Sequence, residues 1–430
     1  MVSHPSNSWH YREGTLFCEE ADLNRLASLH GTPAYIYSRR AIVDNFQAYS
    51  RSLAGIPHRL CYSVKANSNL AVLDLLADEG AGFDIVSGGE LYRVLAAGAP
   101  PESIVFSGVG KTPAEIRFAL ERGIHSFNCE SDTEVGQISR AAVSLDRIAS
   151  VAIRVNPDVN PITHPYISTG LREQKFGIDI RAVEEIYRRA AMLPGILPEG
   201  VSCHIGSQIL TEEPLLEAAD KVLALVRRLR DRGYGIRNLD LGGGLGVAYR
   251  PEERHPPVQA FIEKLKLRLQ GLDLTLMLEP GRSVVADAGI LLTRVLLIKQ
   301  NGRKKFVVVD AAMNDLIRPA LYEAYHEITP VTETQGTTGM QADVVGPVCE
   351  SGDFFARNRE LPTLKSGDLL AIRTAGAYGF SLASNYNSRT RPCELLVDGE
   401  EVHTVRRRET YEDLIRGESI PARPVAIPKV

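Results

Sequence analysis

Cysteine is scarce and scattered, with six in 430 residues (Cys18, Cys61, Cys129, Cys203, Cys349 and Cys393) and no C-x-x-C pair. That argues against a disulfide framework and against a structural zinc site, and it suits a reducing cytoplasm. Long apolar runs are missing too. The most apolar stretch, GILLTRVLLI, is short and carries Arg294, and the opening MVSHPSNSWHYREG has no basic region followed by an apolar one. Neither export nor a membrane span is expected. Nor does charge of one sign dominate: 49 basic against 53 acidic residues leave a formal −4, with no broad footprint for nucleic acid or an anionic membrane. Internal repeats, heptads and low-complexity tracts are absent, although TETQGTTG (332–339) reads as a flexible loop. A small ligand is expected.

The chain is 44% hydrophobic and 24% charged, an ordinary globular balance on a length too great for one small core, so two domains are expected. From about residue 58 to 283 short apolar runs alternate with helical patterns, the rhythm of βα units around a parallel sheet. Strands are expected to end near Val64, Val86, Phe106, Phe127, Val155, His204, Leu241 and Leu278. Eight such units close a (β/α)8 barrel. Thr112-Pro113-Ala114-Glu115 and Ser131 to Glu134 read as helix-starting capping boxes, and Glu217 to Arg230 as an outer helix with one apolar face. After about 284 the pattern becomes β-type (GILLTRVLLI, KKFVVVDA, GDLLAIRT, CELLVDGEEVHTV), with Asp398-Gly399 as a hairpin signal. TPAYIYS (32–38) is also strand-like. The expected fold is therefore a TIM-like barrel over 39–283, with 1–38 and 284–430 forming a β-barrel or sandwich domain that completes the site.

Lys65, in CYSVKAN, lies just past the first barrel strand, on the rim where such barrels place their chemistry. Partial burial there favours the free amine, which can attack an aldehyde to give a Schiff base. An isolated lysine at a strand end is usually just solvated, so the case needs the later strand ends. Leu241-Gly242-Gly243-Gly244-Leu245-Gly246 can close backbone N–H groups on a phosphate, although such a turn is more often merely tight. Leu278-Glu279-Pro280-Gly281-Arg282-Ser283 offers a carboxylate, a glycine backbone and a guanidinium; Glu279 suits a pyridine nitrogen that must stay protonated, and a local ion pair with Arg282 is the competing account. His204, in CHIGSQ, is placed to stack on a ring or to be a structural histidine. Cys349 and Glu350 set a thiol beside a carboxylate in a turn-rich loop. Arg318 and Tyr322, four residues apart, share one side of a helical turn and could bind a carboxylate. Tyr378, in AGAYGF, could reach a phosphate.

Taken with FDIVSGGELYRVLAAG, IVFSGVGKT, RVNPDVNPITHPYISTGLREQKFGID and SNYNSRTRPCELLVDG, these segments resemble, in order and from about residue 14 to 415, the diaminopimelate decarboxylases. These belong to the alanine-racemase-like, fold-type III group of pyridoxal-phosphate enzymes. The resemblance implies that Lys65 carries pyridoxal 5'-phosphate covalently. His204, Ser207, Gly243, Gly244, Glu279, Pro280, Gly281, Arg282 and Tyr378 would bind the cofactor. Arg282, Arg318, Tyr322, Glu350 and Tyr378 would bind substrate, and Cys349 would donate the proton. It also implies a homodimer in which Cys349 and Glu350 enter the neighbouring subunit's site. Ser63, Ser202, Ala312 and Thr374 depart from that family's usual residues without removing a ligand. The implied reaction turns meso-2,6-diaminopimelate into L-lysine and CO2, the last step of lysine synthesis. The alternative is a decarboxylase for ornithine, arginine, lysine or carboxynorspermidine, substrates whose distal amine has no use for Arg318. A racemase is disfavoured by the Cys-Glu pair.

Overall fold

The computed structural model describes residues 8–160, 175–333 and 339–421. Part of the RVNPDVNPITHPYISTGLREQKFGID motif and most of TETQGTTG lie outside the described residues. Eight parallel strands close a barrel: His58–Ser63, Gly82–Ile85, Ile104–Phe106, Ser126–Cys129, Ala149–Asn156, Ile196–Ser202, Asn238–Asp240 and Thr275–Leu278. Closure comes where the last strand pairs with the first, through Leu276, Met277 and Leu278 against His58, Arg59 and Leu60. Every anticipated strand end falls within two residues of the observed one. The reason is burial: these strands are covered on both faces, so they read as continuous apolar runs.

The helices between them are set by local chemistry. Pro113–Arg122 starts on a complete capping box between Thr112 and Glu115 and stops at Gly123, whose φ of 75° suits a residue without Cβ. The second box is only half made. Ser131 Oγ accepts from Glu134 N at 3.2 Å, but the Glu134 carboxylate turns to Glu130 N (2.9 Å) and to the buried Lys111 ammonium (2.6 Å) instead of the Ser131 amide. A buried cation needs its counter-charge more than an exposed amide needs a cap. The helix seen in Glu217 to Arg230 is longer, Glu213–Asp231, and packs its apolar face on the core through Val222, Leu225, Val226 and Leu229.

Beyond the barrel, Ala34–Ser38 enters a mostly antiparallel sheet between Gly289–Asn301 and Cys393–Asp398, so the N-terminal strand does join the C-terminal β domain. Lys304–Val309, Met340–Val345 and Phe354–Leu361 extend the sheet on one side and Glu401–Arg406 on the other. The hairpin after Cys393–Asp398 sits one residue later than Asp398-Gly399 suggests. Asp398 pairs with Glu401, so Gly399 (φ 60°) and Glu400 form the loop. Three short strands, Trp9–Arg12, Thr15–Cys18 and Ala21–Asp22, form a separate small sheet. The turn Arg282–Val285 leads from the last barrel strand straight into the β domain, which brings that domain's loops against the barrel's C-terminal rim.

Candidate active site

A cavity of about 380 Å³ opens at that rim. The barrel contributes Lys65, His204, Ser207, Gly244, Glu279, Gly281 and Arg282 to its wall, and the β domain contributes Arg318, Tyr322, Tyr325 and Tyr378. Sequence positions 65 to 378 thus meet in one space because both domains present loops to it. Gly243 and Pro280 lie one layer behind, and each acts through its backbone: Gly243 N donates to His204 Nδ1 (3.3 Å), and Pro280 O accepts from Ser63 N (3.0 Å). Cys349 and Glu350 do not reach the cavity. Both are exposed on their own chain, with Cys349 N donating to Asn387 Oδ1 at 2.9 Å.

Lys65 sits in the turn Val64–Ala66, its Nζ 2.7 Å from Asp84 Oδ2. Its side chain is 38% exposed because it lines the cavity. The expectation of a neutral amine is corrected here. Burial pulls the ammonium down, but the Asp84 carboxylate, by its charge and its hydrogen bond, more than offsets it, and the net shift is upward. Asp84 is held below its usual range against the effect of its own burial, by Lys65 and by Ser63 Oγ (2.8 Å), the serine where alanine is usual in the family resembled.

Glu279 behaves in the opposite way. Burial, then Asp240 and Asp84, push its carboxyl well above the ordinary range, so it carries a proton; Asn128 Nδ2 lies 3.2 Å from Oε1 and Ser107 Oγ 3.4 Å. No ion pair joins it to Arg282. His204 is driven down to about 3 by burial and by the cations Arg154 and Lys65, so it is a neutral ring, with Nδ1 accepting from Gly243 N. The glycine turn is tight by necessity: a Cβ on Gly243 would stand 2.2 Å from Glu279 O, and one on Gly244 2.4 Å from Gly206 O.

Arg282 and Arg318 are both buried, 6% exposed each. Arg282 Nη1 donates to Tyr249 Oη (2.6 Å) and Nη2 to Ser207 Oγ (3.2 Å), while Nε has no partner among the described residues. Its guanidinium lies 4.8 Å from the ring of Tyr378, a residue held at φ 55°. Arg318 stacks 4.4 Å from the Tyr249 ring and donates to His326 Nε2 (3.0 Å). Among the described residues no carboxylate pairs with either arginine. Two uncompensated buried cations beside a cavity call for anionic ligands.

Sequence reasoning missed Asp84, Tyr249 and His326. Asp84 had a signal, a lone acid near the end of an apolar barrel strand, as did Asp240. Tyr249 and His326 lie on loops, where no periodicity marks a side chain's direction.

The site suits pyridoxal phosphate: an amine for its aldehyde, a neutral ring, a protonated acid and an N–H turn that tolerates no side chain share one cavity. The chain matches the family model "Pyridoxal-dependent decarboxylase, pyridoxal binding domain" over residues 39–286, which makes it a pyridoxal-dependent decarboxylase using pyridoxal 5'-phosphate. It is 55% identical to a diaminopimelate decarboxylase of Pseudomonas aeruginosa over 96% of this chain and 99% of that one. Two solved diaminopimelate decarboxylases with L-lysine superpose closely. The Helicobacter pylori enzyme has a TM-score of 0.88 at 45% identity, covering 92% of this chain and 98% of that one. The M. jannaschii enzyme has a TM-score of 0.91 at 40% identity, covering 96% and 98%. The chain belongs to the diaminopimelate decarboxylase family.

Proposed function

We propose that the protein decarboxylates meso-2,6-diaminopimelate to L-lysine and CO2 as a cytoplasmic homodimer. The observation that carries this reading is the pair of buried guanidiniums, Arg282 and Arg318, unmatched by any carboxylate among the described residues and facing the cavity that holds Lys65. A substrate with an amino acid group at each end supplies the missing anion; one with a bare distal amine does not.

Pyridoxal phosphate, when bound, accepts the electron pair released as the bond to CO2 breaks. Lys65 would hold it covalently through Nζ. Glu279 would offer its acidic proton to the cofactor ring, His204 would support that ring as a neutral imidazole, and Gly243, Gly244, Gly281, Pro280 and Ser207 would hold the phosphate. Arg318 and Tyr322 would bind the carboxylate that does not react, and Arg282 and Tyr378 would contact both substrate and cofactor. The proton that replaces CO2 on the same carbon comes from Cys349 of the partner subunit, next to Glu350 of the partner subunit. The exposure of Cys349 and Glu350 on their own chain supports that assignment. Six unpaired thiols suit the cytoplasm, and among the described residues no helix is long and apolar enough to cross a membrane.

The test is direct: purified protein, cofactor and meso-diaminopimelate should yield lysine and CO2 in equal amounts. Faster release from ornithine, arginine, lysine or carboxynorspermidine in parallel would overturn the substrate assignment.

A further inference from the structure

Arg318 is aimed by a neighbour that has no charge of its own. His326 is fully buried in the loop between the turn Arg318–Tyr322 and the strand Ile328–Pro330. Its two ring nitrogens have forced roles. Nδ1 faces the Arg373 carbonyl at 2.9 Å, and a carbonyl can only accept, so Nδ1 carries the proton. Nε2 faces Arg318 Nη1 at 3.0 Å, and a guanidinium can only donate, so Nε2 is the acceptor. The residue is fixed from two further sides: Arg359 Nη1 donates to its carbonyl at 2.9 Å, and its ring meets the Tyr249 ring edge-on at 5.2 Å. Burial and the Arg318 cation push the imidazole down to about 3, so it stays neutral in working conditions.

A carboxylate in this place would hold Arg318 equally well but would cancel its charge. A neutral acceptor fixes the guanidinium's direction and leaves the cation for a ligand, which removes the cost of ordering a long side chain when substrate binds. The same ring ties Arg318 to the Arg373 backbone, five residues before the cavity-lining Tyr378, so two substrate-facing segments share one pin. We propose that His326 is a positioning residue that sets selectivity for the substrate's non-reacting carboxylate by aiming Arg318 without neutralising it. This rests on the diaminopimelate reading of the site.

The experiment compares holoenzyme with His326→Asn and His326→Gln. Turnover of meso-diaminopimelate by the wild type tests the reading of the site. The role of His326 is read separately, from competitive binding of L-lysine, which keeps the carboxylate, and of cadaverine, which lacks it. Asn can donate toward the Arg373 carbonyl but falls short of Arg318. It should weaken lysine by about tenfold and raise KM for diaminopimelate to match, with kcat, cofactor loading and cadaverine affinity within about twofold of wild type. Gln can place an oxygen where Nε2 was, and should recover part of the lysine affinity. If the Asn variant does not fold, a lysine-selective weakening in the Gln variant still supports the proposal. Equal weakening of lysine and cadaverine, a fall in kcat at unchanged KM, or loss of cofactor from a folded variant overturns it.

Discussion

A single carboxylate decides the state of Lys65. Burial alone would favour the free amine, yet Asp84 at 2.7 Å favours the ammonium, and an ammonium must lose a proton before its nitrogen can bond to an aldehyde. Lys65→Ala should therefore abolish turnover and all covalently held cofactor while far-ultraviolet dichroism stays unchanged; cofactor that survives denaturation in this variant would remove Lys65 from its role. Arg318→Met keeps much of the side chain's length and removes the charged donor. A charge-assisted hydrogen bond is worth roughly 1.5–3 kcal/mol, so kcat/KM for meso-diaminopimelate should fall at least about tenfold. Cofactor absorbance should not change, and steady-state assays beside a cofactor titration check both. Residues at this scale were legible where the chain itself fixes direction. Lys65, His204 and Glu279 each follow an apolar strand whose end must lie on the rim. Tyr249 follows the glycine turn through Val247 and Ala248, and nothing in that spacing says that its side chain contacts two arginines.

Elements were more legible than residues, because burial on both faces writes each barrel strand as an apolar run and polar caps write the helix starts. The departures come from contacts distant in sequence. Glu134 leaves its expected cap for Lys111, 23 residues away, a preference that no local motif encodes. The two boxes therefore predict unequal costs. Thr112→Ala removes two hydrogen bonds of the hydroxyl, from Glu115 N at 3.3 Å and to Glu115 Oε2 at 2.8 Å, and should cost about 1 kcal/mol, seen as a fall in Tm of roughly one to two degrees for a chain of this size. Ser131→Ala loses a single hydrogen bond, from Glu134 N at 3.2 Å, and should cost less. Scanning calorimetry of the two variants checks the order, and a larger loss at Ser131 would mean that its hydroxyl has a partner beyond the helix start.

The whole molecule explains why one chain assembles a binding cavity to which, among the described residues, it contributes no thiol. The barrel and the β domain bring Lys65, Arg282, Arg318 and Tyr378 together, while the loop Gly346 to Asp353 holds Cys349 and Glu350 outward. That loop is not loose. Asp353 accepts from Val348 N and Met313 N at 2.7 Å each, and the space beside Gly346 is so full that a Cβ would stand 2.5 Å from the Asp353 carboxylate. A firmly built loop that leaves its thiol exposed and outside its own cavity fits the shared site proposed above. Lys65→Ala and Cys349→Ala should each be nearly inactive as homodimers. When they are mixed in equal amounts under conditions that exchange subunits, about half the dimers become mixed, and each mixed dimer has one site with both wild-type residues. Activity should therefore return to about a quarter of the wild-type level, and it should appear at the rate of exchange followed by native mass spectrometry. If Cys349 served its own chain, every site in the mixed dimer would lack one of the two groups, and proven exchange would restore nothing.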